Sequence, residues 1–217
     1  MSLEHQQLHG ELAAFPRRKL VTEADAAALA LLGAVVVRTL GQQRVVARIV
    51  ETEAYDEADP ASHSYRGVTK RCAPMFGPAG TSYVYRSYGI HWCWNVVVGA
   101  VGEGAAVLVR AVAILDGIAV VRARRPGIPN RDLVRGPGRL TAGLALDNTH
   151  NGTDSIVGSA GLCLNVDSWA PIRPDIKRGP RVGISKAESV PRRFWIGSAP
   201  ETSQYRASSR IAKPPRG

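Results

Sequence analysis

The hydrophobic positions of this chain fall into short β-branched runs with three helical stretches among them. An Ala- and Leu-rich run that ends at Leu32, just before Gly33, predicts the first helix, and Thr22 with Asp25 resembles its N-terminal cap. The run GIAVVRARR is typical of a helix that ends in a basic turn. The run RGPGRLTAGLAL is typical of a Gly-Pro-Gly turn that enters a helix.

The strand pattern is dominated by hairpins. The runs AVVVRTL and RVVARIVETEAY, joined by GQQ, predict one hairpin, and two aromatic arms around Tyr88-Gly89 predict another. The run GAAVLVRAVAIL predicts a strand beside the second hairpin, and residues 56–80 read as a long loop. We therefore expect an α+β fold with a largely antiparallel sheet, in one domain over residues 1–217 with flexible ends at about 1–18 and 205–217.

Charge narrows the class of partner. The 217 residues carry a formal net charge of +10 and a pI near 10.1, which favours a polyanion, nucleic acid before an anionic membrane surface, although a merely basic soluble protein remains open. Three cysteines without a C-x-x-C pair argue against a disulfide scaffold or a metal site. With no apolar run of about 18 residues and no signal peptide, we expect a soluble, cytoplasmic protein.

The strand RVVARIVETEAY raises a question about its own polar end. Alternation would place six residues on one face: Val45, Ala47, Ile49, Glu51, Glu53 and Tyr55. Either this face emerges into solvent after Ile49, or it continues into a pocket where a carboxylate meets a substrate. Two carboxylates on one face also occur in glycoside hydrolases, but a separation of roughly 6–7 Å does not decide how they act.

Aromatic residues are concentrated in the second hairpin. Cross-strand packing is the simpler interpretation of Tyr83, Trp92 and Trp94. Tyr88 differs because it sits at the predicted tip, where a ring has little core to join. On a basic protein such a ring could enter a base stack, with an extruded nucleotide entering a pocket that contains a carboxylate.

Several long motifs, in order, resemble the 3-methyladenine (alkyladenine) DNA glycosylase family of the mammalian type. They are RIVETEAY, DEADPASHSYRG, MFGPAGTSYVYRSYGIHWCWNVV, AAVLVRA and GPGRLTAGLAL, within a match over roughly residues 15–200. The resemblance implies a curved antiparallel sheet with flanking helices and a hairpin that protrudes into the minor groove of double-stranded DNA. It also implies no metal and no organic cofactor.

The resemblance assigns roles to the pocket residues. Glu53 resembles the general base that activates water. Tyr55, His63 and Tyr85 resemble the residues that sandwich and hydrogen-bond the flipped base. Glu51 has no role in the motif, and we expect a structural or electrostatic one.

Three further positions follow from the same resemblance. Tyr88 corresponds to the residue that intercalates into the duplex, Asn95 to the one that discriminates against ordinary guanine, and Arg110 to an arginine near the site that contacts the nucleotide backbone.

The expected enzyme is a monomeric, monofunctional glycosylase without lyase activity, nucleoid-associated and of bacterial type. Its expected substrates are 3-methyladenine, 7-methylguanine, hypoxanthine or ethenoadenine in DNA.

The chain departs from the family pattern in a few places, and two other functions stay open. The run VTKRCAPMF puts Cys72, Ala73 and Pro74 where polar or basic residues are commoner, which affects the expected DNA contacts of this loop. Ile90 replaces a more usual Met. A non-enzymatic lesion binder would keep the wedge without turnover, and an RNA-directed or nucleoside hydrolase would have little use for Tyr88.

Overall fold

The computed structural model describes residues 10–167 and 175–205, and within them nine strands form one antiparallel sheet. The strands are β1 (Ala13–Ala14), β2 (Val35–Leu40), β3 (Gln43–Tyr55), β4 (Ser82–Ser87), β5 (His91–Val97), β6 (Ala106–Asp116), β7 (Leu162–Val166), β8 (Ile176–Gly179) and β9 (Arg193–Ile196). The helices are α1 (Ala24–Leu31), α2 (Ile118–Arg124) and α3 (Pro137–Leu144). Short 3-10 turns occupy Arg17–Lys19, Ala73–Phe76, Asn130–Asp132, Asn148–His150 and Ser159–Gly161.

The long strand β3 organises the sheet. The order is β1-β7-β2-β3-β6-β5-β4, and β9 joins β3 to β8. The first half of β3 pairs with β2, whereas its second half pairs with β9 through residues 51–53. Because β3 exchanges one partner for another along its length, the sheet curls, and the predicted α+β class with a curved antiparallel sheet is confirmed.

Both predicted hairpins are confirmed. Strands β2 and β3 are joined by residues 41–42, and β4 and β5 by residues 88–90. Tyr88 and Gly89 both have positive φ, 51° and 69°, and the N–H of Ile90 donates to the carbonyl of Ser87 at 3.0 Å. Positive φ at both central residues matches the twist of an antiparallel hairpin, so the turn brings its strands back together.

A β-bulge changes the face of β3 at its centre, and the prediction that six alternating residues share one face is wrong. The pairing with β6 shifts on both sides of Glu51. Ile49 packs in the main core, but Val50 packs in a separate cluster with Ala111 and Ile196. Beyond the bulge it is Thr52 that turns to the core side, donating its hydroxyl to the carbonyl of Ala28 in α1 at 3.1 Å. An extra residue reverses the alternation, so Glu51 and Glu53 lie on the opposite face from Ile49.

The main core lies where α1 packs on β3 and α3 packs on β5. The predicted Thr22–Asp25 cap is not the observed one, because Glu23 occupies the cap position of α1 and makes no side-chain cap bond. Phe15, within the segment expected to be a loose end, is 2% exposed in this core, and β1 pairs with β7. The structure does not describe residues 1–9 of that segment, nor residues 206–217 of the expected C-terminal loose end.

None of the helices in the described ranges is long and apolar enough to cross a membrane.

Candidate active site

One cavity of about 660 Å³ gathers residues from several separate parts of the chain. Its walls include the end of β3, the loop at residues 60–63, the hairpin of β4 and β5, part of β6 and the loop at residues 182–186. All seven residues assigned to the site from the sequence line it: Glu53, Tyr55, His63, Tyr85, Tyr88, Asn95 and Arg110. The structure therefore brings them together, although their individual roles remain predictions.

The Glu53 carboxylate is buried at the inner end of this cavity and held from three directions. Its side chain has no exposed surface. Tyr55 donates its hydroxyl to Oε2 at 2.8 Å, and the backbone N–H of Val182 donates to Oε1 at 2.7 Å. Arg110 places Nη1 3.2 Å from Oε1. These groups satisfy a buried carboxylate while Oε2, which has one donor, keeps capacity to accept a further hydrogen bond.

Arg110 joins Glu53 to Glu51. This contact bears on whether the two carboxylates at the end of β3 emerge into solvent or lie beside a pocket. The Nε of Arg110 donates to Oε1 of Glu51 at 3.0 Å while Nη1 contacts Glu53. Burial by itself lowers the pKa of Arg110, but the charges of Glu53 and then Glu51 raise it above its ordinary value. The carboxylates thus emerge neither into solvent nor unpaired in the interior, and the expected structural or electrostatic role of Glu51 agrees with this pairing.

Arg181 and Val182 position the Glu53 end of the site, and neither was identified as a site residue from the sequence. Arg181 has no exposed side-chain surface and pairs with the carboxylate of Asp59, through Nη1 and, at 3.0 Å, through Nη2. The same guanidinium donates to the carbonyl of Ala54 at 3.0 Å and lies 4.6 Å over the ring of Tyr55. Because Arg181 immediately precedes Val182, the ion pair fixes the backbone N–H that reaches Glu53.

One wall of the cavity is aromatic. The ring of His63 lies edge-on to Tyr85 at 4.5 Å, and its Nδ1 is 2.9 Å from the hydroxyl of Tyr83. Burial, with a smaller effect from the charge of Arg71, lowers the pKa of His63 to about 4. His63 is therefore a neutral imidazole at neutral pH, and Arg71 lies 5.1 Å over the ring of Tyr85.

Strand alternation explains why these hairpin side chains face the cavity together. Tyr83 pairs with Asn95 and Tyr85 pairs with Cys93, so all four lie on one face. Asn95 is 4% exposed and donates its amide to the carbonyl of Tyr83 at 3.0 Å. Tyr83 was expected only to pack across strands, but its hydroxyl also meets His63, so it belongs to the site.

Other aromatic residues of the hairpin do behave as packing groups. Trp94 is fully buried in the core and donates Nε1 to the hydroxyl of Ser82 at 3.1 Å. Trp92 packs against the same core. Tyr88, in contrast, is 70% exposed at the tip, beside the cavity mouth. The tip position predicted for Tyr88 is confirmed by the turn geometry.

The departure at Cys72 falls on a buried residue. Cys72 has no exposed surface, packs with Met75 and Tyr83, and its sulfur lies 3.1 Å from the hydroxyl of Thr69. It therefore supports the loop under the aromatic wall. In the described part of the chain, no group of three or more His, Cys, Asp or Glu side chains is arranged to hold a metal ion.

The antiparallel α+β fold thus presents a buried carboxylate in a cavity with an aromatic wall. The family model of methylpurine-DNA glycosylase matches residues 19–200, and the chain belongs to this family. It is accordingly a DNA glycosylase, an enzyme of DNA repair.

Curated relatives agree with this membership. The chain is similar to a protein of Nocardia farcinica (45% identical, covering 88% of this chain and 92% of the relative) and to one of Frankia casuarinae (44% identical, covering 85% and 90%). It is also similar to one of Carboxydothermus hydrogenoformans (41% identical, covering 83% and 94%). All three carry the name "Putative 3-methyladenine DNA glycosylase".

Proposed function

We propose that this glycosylase flips alkylated or deaminated purines out of duplex DNA and hydrolyses their N-glycosidic bond, leaving an abasic site. The observation that carries the proposal is the Glu53 carboxylate, buried and held by three donors at the inner end of an aromatic cavity. A carboxylate in that position can accept a proton from a water molecule placed beside the flipped nucleotide.

The reaction balances without any group beyond water. The oxygen of water forms a bond to C1′ of the sugar as the bond from C1′ to the base nitrogen breaks, and that bond's electron pair leaves with the base. Glu53 accepts the proton that the water loses. For 3-methyladenine or 7-methylguanine the base carries a positive charge beforehand and departs neutral, and Glu53 then releases its proton to solvent. A neutral base such as hypoxanthine departs as an anion and takes up a proton from solvent, so in both cases one water is consumed.

Recognition of the base follows from the cavity wall. Tyr55 and Tyr85 present ring faces or edges to the cavity, and a cationic alkylated purine stacks favourably on such rings. His63 and Asn95 supply hydrogen-bonding groups, and by its resemblance to the family motif Asn95 discriminates against the exocyclic amino group of ordinary guanine. Which of the four candidate lesions is preferred is a question for a lesion-panel excision assay.

Capture of duplex DNA follows from the surface. Exposed Tyr88 enters the stack from the minor groove and fills the space that the extruded nucleotide leaves. The net charge of +10 supplies phosphate contacts whose strength falls steeply with salt. We propose that the protein acts as a monomer and that Arg110 assists on the sugar–phosphate side of the site.

The test of the base assignment is Glu53→Gln. Single-turnover release of hypoxanthine or 3-methyladenine should fall by about 10²–10⁴-fold, while binding of the lesion duplex stays largely intact. Glu11→Gln, at an exposed carboxylate outside the cavity, is the matched control. Near-normal release by Glu53→Gln would contradict the assignment of Glu53 as the general base.

The same assay separates the other functions. Binding without release by the wild-type protein would indicate a lesion binder. Faster release from RNA or from a free nucleoside than from duplex DNA would indicate the other hydrolase class. The exposed Tyr88 favours duplex DNA.

Lyase activity has its own test, because among the described residues the cavity is lined by an amine. Lys186 lines it. We expect borohydride to trap no covalent adduct with DNA during turnover, since water rather than an amine attacks C1′. A trapped adduct that disappears in Lys186→Arg would overturn the monofunctional mechanism.

A further inference from the structure

We propose that Glu51 is a positioning residue of this active site, which aims the Arg110 guanidinium at Glu53 and is itself fixed by Ser203 in the C-terminal segment. The inference deepens the proposed function and rests on it, because it takes Glu53 as the base. It assigns a task to the second carboxylate of the strand and to a segment about 150 residues away from it.

Glu51 is a fully buried carboxylate whose hydrogen bonds all come from outside its own strand. Arg110 donates Nε to Oε1 at 3.0 Å, and Arg193 of β9 donates Nη1 to the same oxygen at 3.0 Å. Ser203 donates its hydroxyl to Oε1 at 2.6 Å and its backbone N–H to Oε2 at 2.8 Å. With both oxygens occupied in this way, Glu51 has little room to act on a substrate, and it does not line the cavity.

Because a guanidinium is rigid, these contacts set the orientation of the Arg110 side chain. The group is planar with its donors in a fixed fork, so fixing two nitrogens fixes the direction of the third. In Arg110, Nε donates to Glu51 and Nη2 donates to the hydroxyl of Ser203 at 3.3 Å. The remaining nitrogen, Nη1, then points at Glu53 at 3.2 Å.

Charge balance gives Glu51 a second effect on Glu53. The buried cluster contains two carboxylates, Glu51 and Glu53, and two guanidiniums, Arg110 and Arg193, so its formal charge is zero. Removing the charge of Glu51 leaves one positive charge in excess beside Glu53. Arg110 would then pair with Glu53 alone, and the carboxylate would be a poorer acceptor for the proton of the attacking water.

The segment at residues 199–203 is anchored well enough to serve as a fixed support. The carbonyl of Thr202 accepts from Nε of Arg135 at 2.9 Å, and the carbonyl of Ser203 accepts from Arg193 at 3.1 Å. Ala199 is 5% exposed and packs with Val50, the residue at the bulge. The bulge in β3 and this segment pack against each other, and together they hold Arg110 in place.

Kinetics give the first test. In Glu51→Gln we expect the rate of purine release at saturating enzyme to fall by about 10–100-fold, the range for a lost charged hydrogen bond. The enzyme concentration at half-maximal rate should change less than about 2-fold, because Glu51 does not touch DNA in the proposal. Ser203→Ala should lower the rate in the same direction but less, and the double variant should be no worse than Glu51→Gln. Asp116→Asn, which removes an exposed ion pair with Arg44, is the matched control.

A second readout does not depend on activity. The Nε–H signal of Arg110 in a ¹⁵N NMR spectrum should exchange slowly with solvent in the wild type and measurably faster in Glu51→Gln and Ser203→Ala. If Glu51→Gln fails to fold, Ser203→Ala carries both measurements. The proposal is overturned by a normal rate in the folded variants, by a rate loss matched by lost affinity, or by unchanged Arg110 exchange. Failure of the wild type to release any purine counts against the proposed function instead, and the NMR result then decides on the positioning role.

Discussion

The hydroxyl of Tyr55 donates to the Glu53 carboxylate at 2.8 Å from two residues farther along the same strand. Alternation places both side chains on the cavity face of β3, so no loop has to bring them together. Burial, followed by the charge of Glu53, raises the pKa of Tyr55 well above its ordinary value. The phenol therefore stays protonated at neutral pH and remains a donor.

Replacing Tyr55 with Phe should separate its two tasks. The ring and its stacking on a base are kept, while Glu53 loses one donor, so we expect single-turnover release to fall by about 10-fold or more, from the strength of a hydrogen bond to a charged group. Affinity for lesion DNA should be nearly unchanged. Tyr55→Leu is the comparison, since it should lower affinity as well. Equal kinetics of Tyr55→Phe and wild type would contradict a role for the hydroxyl.

The buried pair of Asp59 and Arg181 should matter first for stability. Removing one partner leaves an unpaired charge in the interior, so Asp59→Asn should lower the free energy of unfolding by about 3–5 kcal/mol in urea titrations. Asp116→Asn removes an exposed ion pair, with side chains 50% and 62% accessible, and should change it by less than about 0.5 kcal/mol. Similar values for the two variants would show that the buried pair adds little.

Tyr88 should affect DNA capture without affecting the fold. Its side chain is 70% exposed, so Tyr88→Ser should leave the melting temperature unchanged. We expect affinity for lesion DNA to fall by about 5–150-fold, the equivalent of one lost stacking contact of about 1–3 kcal/mol. Tyr205→Ser, at another exposed tyrosine, is the control. Unchanged affinity in Tyr88→Ser would mean that the tip does not enter the duplex.

His63 should make stability depend on pH in a defined direction. Its pKa is lowered in the folded protein from 6.5 to about 4, so between these values the unfolded chain binds more protons. The free energy of unfolding should therefore fall as the pH falls from about 6.5 to about 4, and this contribution should be constant above about pH 7. The His63 ring is surrounded by protein along the cavity, which lowers its pKa, but part of its surface is still open to solvent. Solvent screening should therefore keep the effect below about 1 kcal/mol.

The comparison for His63 is His63→Gln, measured by urea unfolding at pH 7.5 and pH 5. The variant should lose less stability than the wild type over this interval. His150 also has a lowered pKa but is present in both proteins, so its contribution cancels in the difference. An identical loss in both proteins would argue that His63 titrates normally.

Local patterns predicted most of the strands and helices because each depends on neighbouring residues. The hairpins and the tip at Tyr88 follow from β-branched alternation and turn chemistry. The face of Glu53 could not be predicted in this way, because the bulge is a property of the pairing with β6, about 60 residues farther on. Val182 escaped notice for another reason: it contributes a backbone N–H, and any residue except proline carries one.

The contacts of Arg181 and Ser203 also could not be predicted from local sequence patterns. Each lies outside the strand that it serves, and nothing in the residues around it indicates a partner more than 100 positions away. A buried arginine is recognisable only once the carboxylate that neutralises it is known. Resemblance to a family identified the groups expected to touch the substrate, while the residues that hold those groups required the fold.

The bulge at Val50 also sets what a change in the length of β3 would do. Deleting Val50 itself would remove the extra residue, and strict alternation from Ile49 would still leave Glu51 and Glu53 on the cavity face and Thr52 toward α1. Deleting a residue between the bulge and Glu53, such as Thr52, would instead turn Glu53 toward α1, and the reaction would lose its base. The position of a one-residue deletion along β3 therefore decides whether the site survives it.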